Sequence, residues 1–181
     1  MADIRRASTG ELGADEIASL RELLWQAFGD DEEEAFGEHD WTHALGGTHV
    51  LLEADGLILS HAAVVERDLE VAGRHVRTGY VEAVATRVGH QRRGFGSSVM
   101  REVRDIIVEQ FELGALGTGV FAFYEPLGWE HWRGPTFVRT PDGVVRTPDE
   151  DGYILVLRTS STADLDLELP ISCEWRAGDV W

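Results

Sequence analysis

Cysteine is nearly absent. Cys173 is the single one among 181 residues, which excludes an internal disulfide framework and a cysteine-rich metal site. It is read as a small buried hydrophobe, not a nucleophile. Proline is sparse as well, at five residues, and no apolar run reaches the roughly 20 residues of a membrane-spanning helix. Asp3, Arg5 and Arg6 open the chain with no apolar signal core behind them, so the expected location is cytoplasmic, with no membrane partner. Basic residues are scarce too: 16 Lys and Arg face 33 Asp and Glu, for a net charge of −17. Such a surface repels nucleic-acid backbone and attracts cationic partners. What is present is a 43% apolar fraction, enough for one domain over residues 1–181 with a full core.

Taken in order, residues 2–9 read as an edge strand. A helix over about 14–28 follows, with Ile17, Leu20, Leu24, Ala27 and Phe28 on its core face. Asp30 to Glu34 is an acidic run, either a solvated loop or the lip of a site for a cation. A short helix covers His39 to Leu45, with Asp40 as its N-cap. His39 and His43 stand at i, i+4, but two histidines without a third ligand are a poor zinc site, and no metal is expected. Three extended segments then form an antiparallel meander: 48–53, 57–66 and 74–86. Asp55-Gly56 and Ala72-Gly73 mark its reversals. Further strands are expected over 115–118, 153–157 and 168–174. Between them, 122–127 is a short helix stopped by Gly128, and turn signals fill the stretch from Gly134 to Gly152.

The organising stretch is Glu82 to Gly96. An apolar strand enters a basic, glycine-bearing turn, and a helix follows with Val99, Val103, Ile106 and Ile107 on one side. A helix start offers unpaired N–H groups and the positive end of the helix dipole, which suits a phosphate. The same turn can equally be an ordinary helix start. It is neither the Gly-x-x-x-x-Gly-Lys-Ser/Thr of a nucleotide loop nor the Gly-x-Gly-x-x-Gly of a dinucleotide fold.

Gln91-Arg92-Arg93-Gly94-Phe95-Gly96 matches the Gln/Arg-x-x-Gly-x-Gly/Ala loop with which GNAT acetyltransferases hold the pyrophosphate of acetyl-CoA. Further blocks resemble one branch, the aminoglycoside 2′-N-acetyltransferases. They are His39-Asp40-Trp41-x-His43-x-Leu45-Gly46-Gly47, Gly79-Tyr80-Val81-Glu82, Leu113 to Leu116, Tyr124 with Gly128-Trp129, Trp132-x-Gly134-Pro135-Thr136, Thr147 to Gly152, and Cys173 to Trp181. They span nearly the whole chain.

That resemblance implies an α/β GNAT fold: a mixed, mostly antiparallel central sheet with flanking helices, and two splayed parallel strands at the acetyl-CoA site. It implies that Val84, Ala85 and Thr86 hold the acetyl and pantetheine part, and that Gln91, Arg92, Arg93, Gly94, Phe95 and Gly96 hold the pyrophosphate. Glu82 becomes a general base acting through water, and Tyr124 the acid that protonates the departing thiolate. Tyrosine, with a pKa of about 10, is protonated at neutral pH and can serve. Asp40, Glu150 and the terminal carboxylate of Trp181 become the acids that bind a polycationic drug, with Glu82, Ala83 and Gly117 beside them. A homodimer is implied as well. Without the resemblance, Glu82 reads as a solvated carboxylate, Asp40 as a helix cap and Tyr124 as core filling.

The chain departs from that pattern at four places. Ala83 stands where glycine is frequent, Ala35 where an acid usually precedes Phe36, Gly117 in place of serine and Glu150 in place of aspartate. Two other functions compete: acetylation of a polyamine or other cationic amino-sugar metabolite, and a non-enzymatic module that binds acyl-CoA or a cation.

Overall fold

The computed structural model describes residues 2–29 and 36–181. The acidic run from Asp30 to Glu34, and Ala35, lie outside the described residues. The fold is α/β, with a mixed sheet of ten strands: β1 (Asp3–Ser8), β2 (Thr48–Ala54), β3 (Leu57–Val71), β4 (Arg74–Thr86), β5 (Leu113–Gly117), β6 (Glu130–His131), β7 (Thr136–Thr140), β8 (Gly143–Arg146), β9 (Ile154–Arg158) and β10 (Ile171–Glu174). The helices are α1 (Ala14–Phe28), α2 (Glu38–His43), α3 (Phe95–Gln110) and α4 (Phe121–Tyr124). The pairs β4–β5 and β7–β10 are parallel. The pairs β1–β2, β2–β3, β3–β10, β5–β9, β6–β9 and β7–β8 are antiparallel.

The chain forms two compact units, and β3, β4 and α3 each contribute residues to both. The first unit holds residues 1–65 and 81–103. In it α1 begins at Gly13, whose N–H donates to Glu16 Oε2 at 2.8 Å and so gains a partner at the helix start. The helix buries Leu20, Leu23 and Leu24 completely against Trp41, Leu51, Ile58 and Ala85. Each such leucine contributes about 2 kcal/mol of burial. Phe28, expected on this face, is exposed as the last residue of the helix and stacks on Phe36 at 5.2 Å. The Asp55-Gly56 turn between β2 and β3 has both residues at positive φ, 53° and 78°, which matches the twist of the flanking strands.

The second unit holds residues 66–80 and 104–181. Here β4 pairs Thr78–Tyr80 with Leu113–Ala115 of β5, and β10 joins β3 to β7. Gly79 permits α3 to approach β4, since a Cβ there would lie 2.7 Å from the Phe111 ring and 3.1 Å from Ile107. Four strands differ from expectation. β3 continues past Glu66 because Arg67, Leu69 and Val71 are buried in alternation with exposed Glu66 and Asp68. The stretch read as turns contains β7 and β8, closed by a hairpin at Pro141-Asp142. The strand expected from Glu168 begins only at Ile171.

Candidate active site

In the first unit the decisive local feature is a bend in β4. Ala83 has φ 53°, a left-handed conformation that β-carbons disfavour by about 1–2 kcal/mol. That explains why glycine suits the position. The carbonyl groups on either side of the bend are held by side chains of β3. His61 Nδ1 lies 2.8 Å from Ala83 O, and Ser60 Oγ donates to Ala85 O at 3.0 Å. Thr86 Oγ1 is 2.9 Å from the same serine hydroxyl. Glu82, Ala83, Val84 and Thr86 are half-buried and Ala85 is buried.

His61 contacts a second buried histidine, His49, at 2.9 Å between ring nitrogens. Burial pushes the His49 pKa down to about 4. Burial, with His49 beside it, pushes that of His61 down to about 3. Both rings are therefore neutral near pH 7.

Beyond Thr86 the chain turns through Arg87, whose N–H donates to Leu59 O at 2.8 Å, and reaches α3 by way of Gly94 at φ 84°. A Cβ at Gly94 would meet nothing within 4 Å, so the space before the helix is open. Gly94 O accepts from Ser98 N at 3.0 Å, while the first N–H groups of a helix have no partner within it. Gln91, Arg92, Arg93 and Gly94 are exposed there, and Arg93 lies over the Phe95 ring at 5.1 Å. Asp40, expected as an N-cap, sits instead in the third position of α2, because the helix starts at Glu38. Its Oδ2 accepts from Gly37 N at 2.7 Å. Trp41 beside it shares one apolar cluster with Ala83 and Ala85.

The second unit gathers other expected residues. Tyr124 ends α4, is buried against Phe123 and Trp129, and has its pKa pushed up by burial. Gly117 ends β5; a Cβ added there would stand 3.4 Å from Tyr80 Oη and 3.8 Å from the carbonyl carbon of Trp181, in ordinary contact with both. Trp181 is buried, its indole N–H donating to Thr147 Oγ1 at 3.1 Å and its backbone N–H to Asp179 Oδ1 at 3.1 Å. Arg176 donates to Trp181 O, and buried Arg67 to Val180 O at 2.9 Å. Cys173 is buried, and burial pushes its thiol up to about 11, the wrong direction for a nucleophile. Half-buried Glu150 has a raised pKa, first from burial and then from the like charges of Asp179 and Asp149. The structure thus brings Gly117, Trp181 and Glu150 into one neighbourhood with Asp179.

The profile of the Acetyltransferase (GNAT) domain family matches residues 9–132. The chain belongs to the GNAT acetyltransferase family. An aminoglycoside 2′-N-acetyltransferase of Mycolicibacterium fortuitum is 39% identical to this GNAT chain, over 98% of it and 91% of the relative. Among solved structures, a GNAT family N-acetyltransferase from Escherichia coli in complex with CoA matches with a TM-score of 0.65 at 19% identity, over 97% of this chain and 89% of that one. A GNAT family acetyltransferase from Brucella melitensis in complex with acetyl-CoA matches at 0.55 and 18% identity, over 72% and 83%. Others are longer: the chain spans 34% of a GCN5-related N-acetyltransferase from Kribbella flavida, at a TM-score of 0.58.

Among the described residues no group of three or more His, Cys, Asp or Glu is placed to hold a metal ion. No described helix is long and apolar enough to cross a membrane. Sequence reasoning missed His49, His61 and Ser60. His49 and His61 are 12 positions apart, and only the β2–β3 register makes them neighbours.

Proposed function

We propose that this acetyltransferase moves the acetyl group of acetyl-CoA to the 2′-amino group of an aminoglycoside. The observation that carries the reading is the 39% identity, over 98% of the chain, to an enzyme of that name. The chemistry of the residues agrees. The open, basic turn before α3, from Gln91 to Gly96, supplies helix-start N–H groups for a pyrophosphate. Backbone groups of Val84, Ala85 and Thr86, beside the bend, would hold the acetyl and pantetheine part. Glu150 is crowded by Asp149 and Asp179, and a bound ammonium group would relieve that repulsion.

In this reading Asp40, Glu82, Ala83, Gly117, Glu150 and Trp181 contact the drug. The free amine attacks the thioester carbonyl carbon; a C–N bond forms as the C–S bond breaks. Glu82 takes the ammonium proton through a water before attack; Tyr124 gives its proton to the leaving thiolate and is restored by the second nitrogen proton, lost as the amide forms. Burial keeps the Tyr124 hydroxyl protonated across the working pH range. The enzyme acts in the cytoplasm as a single-domain homodimer, and light scattering of the purified protein checks the dimer. Thiol release measured with a panel of 2′-amino drugs, 2′-hydroxy drugs and polyamines tests the reaction. Turnover confined to the 2′-amino drugs is expected; turnover with polyamines alone would refute it.

A further inference from the structure

His49 lies opposite Ala63 and His61 opposite Leu51 in the β2–β3 ladder, so the two histidines are diagonal neighbours on one face. Both are completely buried. A chain of contacts runs from the backbone of Gly46 to the backbone of Ala83. Gly46 N donates to Thr9 Oγ1 at 2.9 Å, and Thr9 Oγ1 is 2.9 Å from His49 Nε2. His49 Nδ1 is 2.9 Å from His61 Nε2, and His61 Nδ1 is 2.8 Å from Ala83 O.

The two ends fix the direction of every hydrogen. A carbonyl only accepts, so His61 Nδ1 carries a hydrogen. In a neutral ring Nε2 is then the acceptor, filled by His49 Nδ1–H. His49 Nε2 in turn accepts the Thr9 hydroxyl hydrogen. No ring nitrogen is left over and only one arrangement satisfies them all. Two apolar side chains would fill this space without burying four ring nitrogens. What the histidines add is a directed donor at one backbone atom, the carbonyl of the left-handed residue between Glu82 and Val84.

We propose that His61, its tautomer set by His49 and Thr9, is a positioning residue for acetyl transfer: its Nδ1–H holds the Ala83 carbonyl and so the bend that orients Glu82 and Val84. The inference rests on the role given to Glu82 above. It accounts for how a β-carbon is tolerated at this bend, since a strained residue persists where its surroundings over-determine it.

The test compares His61→Asn with His61→Gln. The asparagine amide overlies Nδ1 and keeps a donor on Ala83 O; the glutamine amide overlies Nε2 and withdraws it. Each is also made with Ala83→Gly, because glycine adopts the bend without a restraint. We expect His61→Gln to lower kcat for 2′-acetylation by at least about tenfold through misplacement of the base. His61→Asn stays near wild type, and Ala83→Gly returns most of the activity lost in His61→Gln. Should His61→Gln fail to fold, His49→Leu/His61→Leu, which removes the donor and fills the space with apolar side chains, replaces it with the same expectation. Wild-type kcat in the removal variant overturns the proposal, as does an equal loss in His61→Asn. If wild-type protein acetylates no 2′-amino drug, the acetyl-transfer reading falls instead. The amide resonances of Glu82, Ala83 and Val84 then decide: they shift in His61→Gln and return in His61→Asn if His61 holds the bend, and they stay in place if it does not.

Discussion

Acid should weaken this protein at a pH where its carboxylates are still ionised, and the buried histidine pair sets the amount. An unfolded histidine titrates near pH 6.5, whereas burial holds His49 at about 4 and His61 at about 3 in the fold. The folded rings refuse a proton that the unfolded rings accept. Stability is therefore fully present above about pH 6.5, falls as pH drops below it, and stops falling on their account near the folded values. Each histidine contributes a slope that approaches about 1.4 kcal/mol per pH unit below its unfolded pKa, so the pair removes about 4 kcal/mol between pH 7 and pH 5. Against a total stability of about 5–15 kcal/mol that is a large share. The assay is urea unfolding at pH 7.0, 6.0 and 5.0 for wild type and for His49→Leu/His61→Leu. Other titrating groups are common to both proteins and cancel in the difference. Wild type should lose about 4 kcal/mol more than the variant over this range. Parallel losses would refute the reasoning and mean that the pair is not buried and neutral.

Three further outcomes follow from particular atoms. Tyr124→Phe keeps the buried ring and removes the proton donor, so turnover should fall about 10² to 10⁴-fold while calorimetric CoA affinity stays constant. Glu150→Gln removes a carboxylate crowded by Asp179 and Asp149, and should raise KM for the drug about tenfold at unchanged KM for acetyl-CoA. Gly134→Ala places a Cβ 2.0 Å from Leu169 O, where backbone must move; thermal unfolding should show a loss of about 3 kcal/mol or more, or the variant should not accumulate.

The elements that pattern and turn chemistry specify were legible. α1 and α3 announce themselves by spacing, and Asp55-Gly56 is a hairpin turn that few other dipeptides make as well. β7 and β8 were not, because Val144 and Val145 are exposed and Pro141-Asp142-Gly143 masks the hairpin as one more loop. Asp40 looked like an N-cap because the sequence does not show that Gly37 takes that place. The loop from Gln91 to Gly96 was legible as a motif. The left-handed conformation of Ala83 was foreshadowed only by its standing where glycine is frequent. The histidine relay left no trace, since no spacing rule links Thr9, His49 and His61. It exists through strand register, which is a long-range property.

Regiospecific acetyl transfer is read most directly from the product. Purified protein is incubated with acetyl-CoA and a 2′-amino aminoglycoside, and the product is characterised by mass spectrometry and two-dimensional NMR. A single added acetyl group is expected, with the amide on the nitrogen at C2′. An acetyl group on another amine, or on a hydroxyl, or an unmodified drug in the presence of folded enzyme, would contradict it.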